Sequence, residues 1–408
     1  MEPGYLMEQS FWQMYGEAAK TAAGFFWKAG WAFVLGYAIS AMIQAFIPKG
    51  KLTPYMGKPN LKSVSISTAF GAASSSCSFA ALAAARSLFQ KGAHFIATVA
   101  FMFASTNLVI ELGILILIFL GWQFLAAELI GGLLLIIISW LLIKITYPKK
   151  WVEEAKKKVQ EDDSSEDDGF DWKERIKSKK GWYIVGHKFI HDWKMVWEEV
   201  LIGFTVAGFI AVFVPNNVWE AIFLQGMKND FPSWLIALEN ALISPFVAAA
   251  TFIGSMGNIP LATVLNGNGV LFAGIMGFIY SDLMVPPLVM INAKYYGKRV
   301  ALYIAGVMYV SIVITAFILH YAFKVTSLIP ESSQKAGDMA QFSIDYTFFL
   351  NIVFVVITVL LVWLGKRYEK SQKSMGGMNM PGSSKIKKII ALSFGGIIII
   401  GLIVFLIG

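Results

Sequence analysis

The sequence predicts an all-α polytopic membrane protein, as its composition and the lengths of its apolar runs show. Of the 408 residues, 57% are hydrophobic and 15% are charged, whereas soluble globular proteins average about 25% charged residues. The mean hydropathy is +0.63, so the apolar side chains exceed what a chain folded in water can bury. Lipid must therefore solvate most of the chain, and an ordinary soluble enzyme is excluded.

The apolar runs are long enough to cross a membrane as helices. A helix needs about 20 apolar residues to cross a hydrocarbon core of about 30 Å. The segments that meet this length lie near 24–47, 93–121, 123–147, 195–215, 235–253, 267–292, 300–323, 344–365 and 389–408. Residues 64–90 form a further, less apolar candidate. We therefore expect about 8–10 membrane segments.

The remaining composition excludes several other kinds of site. Cys77 is the only cysteine, so the chain forms no internal disulfide and no multi-thiolate metal centre. The formal charge is +8, but the basic residues lie mostly in short links beside apolar runs, which indicates membrane topology rather than nucleic-acid binding. Residues 1–23 have no basic start before an apolar core, so a cleaved signal peptide is not expected. The sequence has no GxxxxGK(S/T) motif, and we predict neither an ATP motor nor a cofactor.

The basic links orient the spans, because lysine and arginine concentrate on the cytoplasmic side. The link 216–234 has one lysine and no arginine. The combined number of lysines and arginines is four in 48–63, twelve in 148–194, three in 293–299 and seven in 366–388. The link 216–234 is therefore placed outside the cell, and the other four links are placed in the cytoplasm. The intervals 64–121 and 235–292 must then each cross an odd number of times, although each holds two candidate segments. One member of each pair is expected to be a re-entrant or broken helix, unless a third short crossing is hidden there.

The chain then divides into two membrane repeats of opposite polarity. The expected parts are an N-terminal segment (1–19), repeat 1 (20–147), a charged cytoplasmic loop (148–194), repeat 2 (195–323), and two additional C-terminal transmembrane helices with a basic cytoplasmic link (324–408). Inverted-topology repeats with interrupted helices at matching positions are typical of secondary transporters, whose site lies near the membrane midplane.

Small and polar residues at the two interruptions are the candidates for a solute pathway. The first interruption is the run GAASSSCSFAALAAAR, and the second is GSMGNIP, where glycine and proline favour a helix break. The predicted pathway residues are Ser75, Ser76, Cys77, Ser78, Gly254, Ser255 and Asn258. The alternative is structural, because small residues also allow close helix packing and an amide can satisfy local backbone groups.

Polar residues inside the apolar runs are the candidates for ion coupling. Asn107 and Glu111 lie in FASTNLVIELG, where helical spacing places them one turn apart on one face, and Asp282 lies in FIYSDLMVPP. An ionisable group at the bilayer centre costs at least ~2.5 kcal/mol, so it is retained for a pathway, a proton relay or a hydrogen bond. Glu128 and Glu239 lie closer to the expected surfaces and rank lower.

Three further features are interpreted structurally. His187 and His191 have the spacing of a helical metal pair, but an interfacial amphipathic helix explains them better. The cluster from Met375 to Met380 is read as a flexible connector rather than a soft-metal site. Arg86 is expected to extend its charge to the cytoplasmic surface.

The interrupted segments resemble those of a prokaryotic family of predicted permeases that includes ArsP-type organoarsenical exporters and YraQ-like proteins. The resemblance rests on SSSCSFAALAAARSLFQKGAHFIATVAFMFASTNLVIELG and GSMGNIPLATVLNGNGVLFAGIMGFIYSDLMVPP. It implies a multi-pass inner-membrane protein with two related halves. The first motif of ArsP-like members is richer in cysteine, whereas Cys77 here stands alone among serines.

These observations predict a permease that exports a metal, metalloid or small organometallic solute by alternating access. Its expected partners are the lipid bilayer and the solute, with no nucleic acid; self-association into a homo-oligomer stays open. One alternative is a membrane scaffold or assembly protein that transports nothing. Another is an intramembrane hydrolase that pairs a serine of 74–78 with His94, although no GxSxG motif accompanies them.

Overall fold

The described part of the protein is a bundle of α-helices joined by short turns, without a β-strand. The computed structural model describes residues 11–46, 53–74, 78–160, 172–227, 230–251, 253–330, 342, 345–373 and 385–407. The helices are α1 (Phe11–Phe46), α2 (Leu61–Ser74), α3 (Ser78–Gln90), α4 (Phe95–Asn107), α5 (Ile110–Phe119), α6 (Trp122–Thr146), α7 (Lys149–Gln160), α8 (Trp172–Lys177), α9 (Lys179–Phe213), α10 (Asn216–Ile222), α11 (Ser233–Thr251), α12 (Ser255–Gly267), α13 (Phe272–Ile279), α14 (Pro286–Tyr296), α15 (Lys298–Val325), α16 (Tyr346–Lys373) and α17 (Lys385–Ile407).

The fold confirms the prediction of an all-α polytopic membrane protein. Eight helical stretches within the described ranges are long and apolar enough to cross a membrane: Phe11–Phe46, Phe95–Phe119, Trp122–Thr146, Val196–Phe213, Ser233–Thr251, Lys298–Val325, Tyr346–Lys370 and Lys388–Ile407. Two of the helices start earlier than their apolar cores suggest, since α1 begins at Phe11 and α9 at Lys179. Alanine, lysine and glutamate are good helix formers, so the helices extend beyond the segments that lipid selects.

Helices α2 and α3 form a helical hairpin rather than a crossing. Helix α2 runs parallel to α4, because His94 N donates to Met56 O at the start of both (2.8 Å) and Ser74 Oγ lies 2.8 Å from Ser105 Oγ near their ends. Helix α3 therefore returns to the side where α2 began. The arms have 14 and 13 residues, so each spans about 20 Å, which is too short for a hydrocarbon core.

A second hairpin, formed by α11 and α12, has the same arrangement. Helix α11 runs parallel to α13, because Leu271 N donates to Asn240 Oδ1 (3.2 Å) and the Ser244 hydroxyl contacts Gly277 one turn further along. Helix α12 is joined to α13 by the short turn 268–271, so it returns to the start of α11. Each of the two predicted pairs therefore contains a helical hairpin, although α11, with 19 residues, is by itself long enough to cross a membrane.

A broken helix follows each hairpin. Helices α4 and α5 are separated by Leu108 and Val109. The predicted span 267–292 is likewise not continuous, because α13 ends at Ile279, a 3₁₀ turn occupies Asp282–Met284, and α14 starts afresh at Pro286. Proline has no N–H to bond the preceding turn, so the PP pair ends one helix and begins another.

The two hairpins approach from opposite ends of α6. The base of the first hairpin lies at the C-terminal end of α6, where the His94 and Tyr147 rings stack at 5.6 Å. The base of the second lies at the N-terminal end, where the Phe272 and Phe124 rings are 5.0 Å apart. The bundle is therefore penetrated from both faces by short helices.

Each half packs the second arm of its hairpin against the broken helix of the other half. Helix α3 packs against α14, and α5 packs against α12. The long helices form two antiparallel pairs. Helix α1 lies against α9, with Phe46 beside Trp182. Helix α6 lies against α15, with Ser139 Oγ donating to Ser311 Oγ at 2.8 Å. Helices α16 and α17 pack outside this core, against α1 and α9.

Candidate functional site

A buried hydrogen bond joins the first hairpin to the second broken helix. Ser78 Oγ, at the start of α3, donates to Asp282 Oδ2 at 2.9 Å, and both side chains are buried. The other carboxylate oxygen, Asp282 Oδ1, accepts from Leu283 N at 2.7 Å. Thr106, at the end of α4, lies near Asp282, and its hydroxyl donates to Phe103 O at 3.3 Å. Three elements thus converge on one carboxylate.

Asn107 leaves a hydrogen-bond acceptor at the first helix break. Its Nδ2 donates to Phe103 O (3.0 Å) and to Thr106 Oγ1 (3.3 Å), which holds the amide against α4. Its Oδ1 is buried and accepts no hydrogen bond from the described residues. A buried carbonyl without a donor is costly, so this oxygen is suited to accept a hydrogen bond or to bind a cation.

Glu111 lies apart from Asn107, contrary to the predicted one-turn spacing on a single face. The break at Leu108 and Val109 separates them, so Asn107 ends α4 while Glu111 lies in the first turn of α5. The Glu111 side chain is buried against α1 at Gly36, where a Cβ atom would overlap it. The absence of a side chain at Gly36 therefore makes room for this carboxyl.

Asn258 forms hydrogen bonds across the break between α11 and α12, at the tip of the second hairpin. Its Nδ2 donates to Ile253 O (3.1 Å), and its Oδ1 accepts from the Thr251 hydroxyl (3.2 Å), so it links α12 to the end of α11. Ser255, the first residue of α12, is buried beside it. Asn258 therefore makes the local backbone contacts that the structural interpretation requires.

Gly254, at this tip, packs closely against the carboxylate of Glu199 on α9. A Cβ atom built on Gly254 would lie 2.6 Å from Glu199 Oε2. The charge of Glu199 also acts on Asp282. Glu199 thus lies close to the second hairpin tip, and its charge reaches Asp282.

Three of the predicted pathway residues, Ser75, Ser76 and Cys77, lie outside the described residues. The serines that flank them along the chain, Ser74 and Ser78, are both buried. Ser78 is thus the predicted pathway residue of the first motif that the structure places beside Asp282.

The sequence profile of the ArsP_1 family, described as "Predicted permease", matches residues 14–321. This range spans both hairpins and both broken helices. The chain belongs to this permease family. It is also similar to a protein of Mycobacterium tuberculosis (strain ATCC 25618 / H37Rv) named "Putative permease Rv2963", with 36% identity over 328 residues, which cover 78% of this chain and 79% of that protein. No solved structure matches the chain significantly.

Family membership and the eight apolar helices together identify a multi-pass membrane permease. Within the part of this permease that the structure describes, no group of three or more histidine, cysteine, aspartate or glutamate side chains could hold a metal ion. His187 packs against the Tyr368 ring at 4.8 Å, and His191 Nδ1 lies 3.5 Å from Asp192 Oδ1, so neither is directed to a shared ligand. The cluster from Met375 to Met380 falls outside the described ranges.

The arrangement that a serine hydrolase would need does not form with the described serines. Ser74 and Ser78 lie at the tip of the first hairpin, bonded to Ser105 and Asp282 respectively. His94 lies at the base, where its Nδ1 accepts from Ile96 N at 3.2 Å. The length of α4 separates this histidine from both hydroxyls. Arg86, also towards the base, lies over the Tyr295 ring at 4.8 Å.

Two carboxylates of the permease were underestimated from sequence. Glu128 was placed near a surface, but its side chain is 1% exposed. Glu199, beside Gly254, was not selected at all. Both lie in apolar helices, which is a signal that the sequence carries, but single carboxylates do not reveal on their own how deep they lie.

Proposed function

We propose that this permease is a secondary transporter that exports a metal, metalloid or small organometallic solute by alternating access. The observation that carries the proposal is the buried hydrogen bond from Ser78 to Asp282. It links a short helix of one half to a broken helix of the other. The short hairpin that carries Ser78 is able to move away from Asp282 and back without unfolding a transmembrane helix.

Opposed hairpins support the assignment of two inverted-topology repeats, 20–147 and 195–323. Each half has a long helix, a hairpin, a broken helix and a second long helix, in that order. The hairpin bases lie at opposite ends of α6, and the paired long helices run in opposite directions. Irregular backbone at membrane depth is tolerated where it lines a cavity or is buried in protein, which suits a site between the two hairpin tips.

The proposed solute pathway runs between those tips. Its residues are Ser75, Ser76, Cys77, Ser78, Gly254, Ser255 and Asn258. The hydroxyl, thiol and amide groups offer both hard and soft donors to a small solute. Glu199 lies beside Gly254 and adds a negative charge at the second tip.

The proposed coupling residues are Asn107, Glu111 and Asp282, which hold a coupling ion or relay protons. A hydrogen bond to an ionised carboxylate is about twice as strong as one to a neutral group. Loss of the Asp282 charge therefore weakens its bond to Ser78. Charge neutralisation at Asp282 and release of the first hairpin are thereby linked, as alternating access requires.

A sensitivity screen tests the proposal. A strain without the gene is exposed to metals, metalloids and organic arsenicals, and is complemented with the wild-type gene, Asp282→Ala, Glu111→Ala or the control Glu239→Ala. Glu239 is a half-buried carboxylate on the second hairpin that accepts a hydrogen bond from Asn240 at 2.9 Å. We expect the strain without the gene to be sensitive to one class of solute. Only the wild type and the control should restore resistance, although all variants should be present in the membrane. Resistance restored by both test variants, or no sensitivity to any solute, would contradict the proposal and favour the scaffold alternative.

A further inference from the structure

Glu128 is a buried carboxyl group without a hydrogen bond to any described residue. It lies on α6, its side chain is 1% exposed, and neither carboxylate oxygen has a hydrogen-bond partner among the described residues. An ionised carboxylate in such surroundings would lose its hydration without compensation. The group is therefore suited to hold a proton in this conformation.

The titratable groups around Glu128 are few. The charge that acts on it is that of Asp282, and the Tyr280 ring lies beside it, with its hydroxyl donating to Ala127 O at 2.8 Å. Among the helices packed against α6, α4 has no titratable residue, and α5 has only Glu111, which is directed to α1. Helix α15 directs His320 and Lys324 into the wall of a cavity instead.

That cavity reaches α6 at Phe124, one helical turn from Glu128. It has a volume of about 450 Å³ and lies at the base of the second hairpin, the face that the basic links place outside the cell. Phe124 lines it and pairs with the Phe272 ring at 5.0 Å. Glu128 follows Phe124 by four residues, so it lies on the same face of α6, one turn deeper. The aromatic pair thus lines the cavity one helical turn from Glu128, and the charge of Asp282 acts on Glu128.

We infer that Glu128 carries protons between this cavity and Asp282, which makes the proton the coupling ion of the permease. A proton from water in the cavity binds the Glu128 carboxylate when the aromatic pair opens, and then passes to the Asp282 carboxylate. Protonated Asp282 holds Ser78 more weakly, and the proton leaves on the opposite side when the first hairpin moves. The inference rests on the proposed function and adds the identity of the ion and its path.

Infrared difference spectroscopy on the full-length purified protein tests the inference without a solute. Spectra are compared between about pH 5 and pH 9 for the wild type, Glu128→Gln and the control Glu239→Gln, whose native carboxylate accepts a hydrogen bond from Asn240 at 2.9 Å. We expect a C=O band of a protonated carboxylic acid in the wild type and the control, reduced by one group in Glu128→Gln. An unchanged band in Glu128→Gln would overturn the inference.

Thermal unfolding gives a second readout and checks that the variant folds. A carboxyl that holds its proton only in the folded protein makes stability fall as pH rises, because the folded state then binds more protons than the unfolded state. We expect the midpoint temperature of Glu128→Gln to fall less with rising pH than that of the wild type and the control. Equal slopes would overturn the inference. Both readouts are independent of transport, so a failed solute screen would reject the proposed function and leave this proton site intact.

Discussion

Ser78 and Asp282 are 204 residues apart in the chain, yet their side chains meet at 2.9 Å. Neither residue belongs to an uninterrupted transmembrane helix, since Ser78 begins one arm of a hairpin and Asp282 follows the end of α13. Their contact is therefore the point at which the two halves of the permease are held together by a polar group that can change its charge.

The first prediction concerns this hydrogen bond. Ser78→Ala removes a donor to a charged group, which contributes about 1.5–3 kcal/mol, and we expect solute flux in proteoliposomes to change by about tenfold or more, since 1.4 kcal/mol is a factor of ten. Asp282→Asn removes the charge and should abolish flux. Ser393→Ala is the matched control, because that hydroxyl donates only within its own helix, to Ile389 O at 3.0 Å. Equal flux in Ser78→Ala and Ser393→Ala would contradict a role for the contact.

Some of the helix breaks could be predicted from sequence, because their causes are local. Pro286 and Pro287 cannot continue a helix, and glycine with proline weakens the segment around Asn258. The lysine counts also predicted, for each interrupted unit, either a re-entrant or broken helix or a third short crossing. Asp282 stood out because a carboxylate in an apolar run is costly.

The partners of these residues could not be predicted in the same way. The contact of Ser78 with Asp282 depends on how two distant hairpins fold back, and no local pattern encodes that distance. The spacing of Asn107 and Glu111 suggested one helical face, but Leu108 and Val109 break the helix without any proline or glycine to indicate it. The depth of Glu128 depends on how α4, α13 and α15 cover α6, which is a tertiary property.

The second prediction concerns the direction of the hairpins. In a Cys77→Ala background, single cysteines are placed at the two ends of the first hairpin (Lys62→Cys or Lys91→Cys) or of the second (Ser233→Cys or Asn268→Cys). A membrane-impermeant maleimide should label the first pair only in inverted vesicles and the second pair only in intact cells, because each hairpin returns to its starting side. Labelling of the two members of a pair from opposite sides would show that the segment crosses the membrane.

The third prediction concerns the close packing of α2 on α4. A Cβ atom on Gly71 would lie 2.5 Å from Phe101 O and 2.8 Å from Ala104 Cβ, and backbone cannot move aside easily. Overpacking of this kind costs about 1–3 kcal/mol, so Gly71→Ala should lower the thermal midpoint of the purified protein. Gly306→Ala on α15 is the control, since no described atom outside the local helix backbone lies within 4 Å of its Cβ position. Its midpoint should stay level or rise, because alanine favours helix over glycine. Equal midpoints for the two variants would refute the packing argument.

The fourth prediction concerns His94, which caps α4 outside the membrane-spanning stretch. Burial lowers the pKa of His94, and the charge of Lys156 on α7 lowers it further. The unfolded chain therefore binds a proton to this histidine more readily than the folded protein does, and stability must fall as pH drops below about 6.5, the ordinary value for histidine. Protonation would also place a hydrogen on Nδ1, which accepts from Ile96 N in the folded state.

Unfolding curves measured between about pH 5 and pH 7.5 test the role of this histidine. Asparagine is a good N-cap residue and does not titrate, so His94→Asn should lose less stability on acidification than the wild type. Lys156→Gln removes only the smaller cause of the pKa shift, so its loss on acidification should lie between those of the other two proteins. If His94→Asn loses as much stability as the wild type, the titrating group lies elsewhere and the cap at the base of the first hairpin does not sense pH.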